Sequence, residues 1–82
     1  MTPDLIEKYV ERKDRKDAII NVHFKERNIV SGIFVRSNDY EELKGKNFWR
    51  IITIANMNEW NETQNINLAR IFNGLSFTKL SD

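Results

Sequence analysis

Apolar positions along the chain change their period from one segment to the next, and each change predicts an element. Leu5, Ile6, Tyr9 and Val10 recur at i, i+1, i+4 and i+5, which places them on one face of a helix. Thr2-Pro3-Asp4 ahead of them is a start signal. A threonine oxygen caps free N–H groups, proline has no N–H to leave unpaired, and aspartate complements the helix dipole. Residues 11–17, ERKDRKD, are all charged and of mixed sign, and Glu11 stands four residues before Arg15. The helix is therefore predicted over about 3–17 with a solvated second half. A docking face for a charged partner is the functional alternative for that run.

From residue 18 the period becomes two. Ile20, Val22 and Phe24 alternate with Asn21, His23 and Lys25, a half-buried strand. After a polar turn at 25–28, IVSGIFVR sets Val30, Gly32 and Phe34 on one side and Ile29, Ile33 and Val35 on the other. A strand apolar on both faces needs cover on each, so one face is predicted to line an interior and the other to lie under the N-terminal helix. Residues 37–47, SNDYEELKGKN, read as a loop with a helical turn at YEEL. FWRIITIA at 48–55 is dominated by aromatic and β-branched residues and is predicted to be a central strand. NMNEWNETQN reads as a long connection or distorted hairpin tip that carries Met57 and Trp60. In the closing INLARIFNGLSFTKL, Asn73-Gly74 suits either a tight hairpin or a 3₁₀ turn between two short strands.

Eighty-two residues make one domain, 1–82, with a compact core. With 40% hydrophobic and 30% charged residues the chain has enough apolar surface to fold. The absence of cysteine excludes disulfides and thiolate metal sites and fits the cytoplasm. No apolar run reaches the ~18 residues of a membrane helix, so no membrane association is expected. The net charge of +1 supplies no overall field for nucleic acid. Any basic patch must be local.

The order of an apolar residue at Phe24, a polar turn, then Ile29-Val30-Ser31-Gly32-Ile33-Phe34 and Ser37-Asn38-Asp39 resembles the first motif of Sm-type proteins. In Sm-like and related SH3-like barrels a helix precedes five strongly bent strands, and a glycine in the second permits the bend. The resemblance implies an α+β, mainly β fold: an N-terminal helix packed on a small five-stranded antiparallel β-barrel at about 18–80, with Gly32 at the bend. The layout is also similar to the small bacterial inhibitors of termination factor Rho, which bind a protein rather than RNA. The second Sm motif is not cleanly present, because Ile71, Phe72 and Asn73 separate Arg70 from Gly74.

Little in the chain suggests catalysis. His23 is the only imidazole and Ser31 across the hairpin its only nucleophilic partner. Asp39, Glu41 and Glu42 lack the spacing of a calcium loop. No cofactor, metal or small-molecule substrate is expected, and the chain reads as a non-enzymatic interaction module. Its partner would be a protein, held by Met57 and Trp60, or a second copy paired through an edge strand. The alternative is RNA, bound by Arg36, Lys44, Lys46, Trp49, Arg50 and Arg70, with Tyr40 nearby, since cations neutralise phosphates and exposed rings stack on bases.

Overall fold

The computed structural model describes residues 1–12 and 18–82. Helix α1 spans Pro3–Val10, with the Thr2 hydroxyl accepting from the Leu5 N–H as the cap. It ends at Val10, and Glu11 is its C-cap. Residues 11–17 supply no apolar side chain to bury, so a longer helix would rest on propensity alone. The expected Glu11–Arg15 pair and most of the solvated second half fall outside the described residues. Ile6 and Val10 are buried and Tyr9 packs beside them, whereas Leu5, on the shoulder of the stripe, is exposed.

Five strands follow: β1 Ile20–Phe24, β2 Val30–Phe34, β3 Phe48–Thr53, β4 Arg70–Asn73 and β5 Phe77–Ser81. They form one antiparallel sheet in the order β4-β3-β2-β1-β5, so β3 has a neighbour on each side and β4 and β5 are the two edges. The sheet is open but strongly curled. Two strands separate β1 from β4, about 14 Å across a flat sheet. The Phe24 ring nevertheless lies 5.8 Å from that of Phe72 on β4 and 5.3 Å from that of Phe77 on β5. The register between β1 and β5 slips at His23/Phe24, a bulge that adds to the bend.

Gly32 lies in the middle of the curl. It pairs with Ile20 on one side and Thr53 on the other, and β3 comes so close that a Cβ at this position would overlap the Ile52 carbonyl oxygen. The core inside the curl holds Val22, Trp49, Ile51 and Phe77, with Ile6 and Val10 of α1 inserted among them. Helix α1 therefore caps the interior and does not cover the outer face of β2, as the two-faced apolar pattern had suggested. On that outer face Ile33 and Ile52 are buried apart from the main core. The segment that packs there is a 3₁₀ turn at Ile54–Asn56 followed by α3, Met57–Thr63. Residues read as a long connection are thus helical, and β3 ends at Thr53 rather than at 55. Helix α2, Tyr40–Gly45, realises the turn expected at YEEL. Between β4 and β5 the 3₁₀ alternative holds: Gly74–Ser76 form the turn, and the Asn73 side chain accepts from the Leu75 N–H.

One buried polar group ties the elements together. Asn47, only 6% exposed and in the left-handed region at φ 62°, donates to the Met1 carbonyl at 3.0 Å and accepts from the Trp49 indole at 2.8 Å. Its backbone carbonyl accepts from the Gly74 N–H at 2.8 Å. The Met1 amine donates to the carbonyls of Gly74 and Phe77, both at 2.9 Å. Start, middle and end of the chain meet at this point.

Candidate interaction groove

Where β2 runs out, the chain leaves the sheet and turns toward α2, and α3 faces that exit from the other side. Between them lies a groove of about 830 Å³. Val35 extends the ladder by one bond, its N–H donating to the Arg50 carbonyl at 3.0 Å. The turn that follows is shaped by Asp39, which accepts from the Ser37 hydroxyl and from Arg50 Nη2 at 2.7 Å and Nε at 3.3 Å. Met57 and Trp60 form the α3 wall, with Asn61 and Gln64 beside them. These four positions are i, i+3, i+4 and i+7, one face of a helix. That spacing was present in the sequence and was obscured by the asparagine content of the segment, a turn-like composition.

The groove gathers Met57, Trp60, Arg36 and Arg50 of the candidate residues. Both α3 residues are half-buried, with part of each side chain open to the groove. Arg36 donates from Nη2 to the Val10 carbonyl at 3.2 Å, at the C-terminal end of α1, and its guanidinium lies 5.8 Å from the Tyr40 ring centroid. The other candidates lie elsewhere. Trp49 is 2% exposed with its indole N–H satisfied, so its ring fills the core and presents no face to a base. Lys44 is held by Glu7, by Glu41 at 2.9 Å and by Glu11 at 3.8 Å, and Glu7 foremost, then Glu41, raises its pKa. The same lysine lowers the pKa of Glu7. Tyr40, whose hydroxyl donates to Glu11 at 2.6 Å, has its pKa raised chiefly by burial and then by that carboxylate. Arg70, on edge strand β4, lies 5.5 Å from the Phe72 ring centroid, and Lys46 is exposed beyond α2.

The groups considered for catalysis or metal binding are dispersed. His23 Nε2 lies 2.9 Å from Ser81 Oγ, while Ser31 donates to Asn21 at 2.5 Å. Asp39 is paired to Arg50 and Glu41 to Lys44, so the acidic residues of that loop do not converge. Among the described residues no group of three His, Cys, Asp or Glu could hold a metal ion, and no helix is long and apolar enough to cross a membrane.

The Arg50 guanidinium, followed by the Ser37 hydroxyl, holds the Asp39 carboxyl down at about 2, from an ordinary 3.8. The folded value lies below the unfolded one, so this contribution to stability is fully present above about pH 4 and is lost as pH falls toward 2. Thermal melts of Asp39→Asn are accordingly expected to lose less stability than the wild type across that window, and equal acid limbs would assign the loss to other carboxylates.

No family model, curated protein or solved structure matches the chain.

Proposed function

We propose that the chain is a non-enzymatic small-barrel interaction module of Sm-like or SH3-like type that binds a protein partner in the α3 groove. The observation that carries this reading is the pairing of Met57 and Trp60 on one helix face beside an open groove of about 830 Å³. A large ring at the edge of a preformed hollow is the kind of anchor that dominates protein interfaces. The strand order β4-β3-β2-β1-β5, the curl at Gly32 and the 3₁₀ link between β4 and β5 support the barrel assignment. Self-association through the edges belongs to the same reading: β4 and β5 each have one free side, and Ile71 on β4 and Leu75 beside it are 50% and 68% exposed.

RNA binding is the weaker reading. Of its six residues, Trp49 is in the core, Lys44 and Arg50 are neutralised by carboxylates, and only Arg36 joins Arg50 in the groove, whose described lining includes neither Lys46 nor Arg70.

Trp60→Ala tests the principal reading. The truncation is expected to cost about 1 kcal/mol of stability, since the ring is only half-buried, while abolishing partner capture. Light scattering of the same sample reports subunit number. A large loss of stability with capture intact would assign the ring to packing and remove the groove from the interface.

A further inference from the structure

We propose that the occupant of the groove is a short peptide segment that presents a carboxylate next to a large apolar side chain, and that Arg36 receives the carboxylate. The inference rests on the groove being the interaction site and adds the chemistry of what enters it.

Charge is the first reason. Among the described residues, the charged ones lining the groove are Arg36, Arg50 and Asp39, and the bidentate contact between Arg50 and Asp39 cancels two of them. Arg36 is left without a counter-ion: no carboxylate of the described residues is within ion-pair distance of it. Glu11, on the neighbouring end of α1, is already bound by the Tyr40 hydroxyl and approached by Lys44. Among the described residues the groove therefore carries one uncompensated positive charge, and an acidic group complements it.

Orientation is the second. A guanidinium has five N–H donors. Among the described residues only one of those of Arg36 has a protein acceptor, the Val10 carbonyl, and the Tyr40 ring lies beneath the group. Contacts to a helix end and to an aromatic ring hold the side chain in place and leave the remaining donors open. A planar fork restrained in this way loses less entropy when it grips a carboxylate than a free one would.

The walls supply the apolar half of the recognition. Met57 and Trp60 on α3 line the groove together with Ile33 of β2 and Val35 just beyond it, and Asn61 adds a side-chain amide suited to a peptide backbone. The volume of about 830 Å³ matches a few side chains, which favours a short motif over the flat face of a folded domain. A phosphate chain is disfavoured, because tight binding of nucleic acid needs several free cations in one track, and among the described residues the groove offers Arg36 alone.

Selection of peptides from a random phage-displayed library on the immobilised chain tests this. Peptides retained by the wild type are expected to be enriched in Asp or Glu beside Leu, Ile, Phe or Trp. Arg36→Gln should weaken a selected acidic peptide at least about tenfold, the loss expected for a hydrogen bond to a charged group. It should leave the same peptide with its acid replaced by the matching amide unchanged. Arg36→Lys should restore part of the preference, and thermal melts of each variant check that the fold is retained. Selection of apolar peptides with no acidic bias, still dependent on Trp60, would overturn the charge inference and keep the groove. Peptides indifferent to Trp60→Ala, no retained peptides, or saturable binding of a uridine oligonucleotide that Arg36→Gln abolishes would overturn both.

Discussion

Gly32→Val is expected to remove about 3 kcal/mol of stability or more, which lowers the melting temperature of a domain this size by at least about 12 °C. The reason is geometric. A Cβ at position 32 would overlap the Ile52 carbonyl oxygen and sit within 3.0 Å of the Thr53 Cα, and both obstacles are backbone of the neighbouring strand. A flexible side chain could move aside, but β3 is clamped between β2 and β4 and carries Trp49 and Ile51 into the core. Relief would require β2 and β3 to separate, which undoes the curl. An 82-residue domain holds only about 4–12 kcal/mol in total, so the variant is expected to forfeit at least about a quarter of its stability. Circular dichroism melts read the shift. Gly45, whose Cβ would meet nothing within 4 Å, is the control: Gly45→Ala, in the last turn of α2, should be neutral or mildly stabilising. A similar melting temperature for both variants would show that β2 bends without needing the space at Gly32.

Asn47→Ala is expected to cost about 2–5 kcal/mol, from two separable causes. Removing the side chain leaves the buried Trp49 indole N–H and the Met1 carbonyl without their partners, about 1–3 kcal/mol. Alanine must also hold a φ of 62°, where asparagine is at ease and a Cβ without a polar group costs about 1–2 kcal/mol. Asn47→Gly separates the causes, since it abolishes the hydrogen bonds and relieves the backbone. Denaturant unfolding should therefore rank wild type above Asn47→Gly and Asn47→Gly above Asn47→Ala, with faster solvent exchange of the Trp49 indole proton in both variants. Equal stability of the two would leave the backbone no part in the effect, and an unchanged indole exchange rate would rule out the hydrogen bond as a stabilising contact.

These two residues differ in how far the chain alone reveals them. Gly32 interrupts an apolar run that needs cover on both faces, so a close approach of backbone is readable in the pattern. Asn47 sits among loop residues and looks like one more asparagine. Its role comes from Met1, Trp49 and Gly74, which are distant in sequence or lie on other elements. The same contrast holds for the site. Met57 and Trp60 were identifiable as apolar residues stranded in polar surroundings. Their helix, and the groove it borders, were not, because Asn56 at the N-cap makes no side-chain bond and the segment is rich in turn formers. Among the basic candidates, composition could not separate Arg36, left uncompensated, from Lys44 and Arg50, each neutralised by partners far along the chain or in the preceding loop.

Local pattern was thus enough for most of the elements, α3 excepted. A period of 3.6 marked α1, alternation marked β1, and an aromatic and β-branched run marked β3, since side-chain burial along one element repeats with that element's own geometry. The antiparallel sheet with a leading helix is the layout that the Sm-type resemblance implied. Which face α1 covers, where α3 docks, how far the sheet curls and which charges cancel were decided by contacts between residues far apart in the chain. Those contacts depend on distance in space, and no periodicity along the chain encodes it.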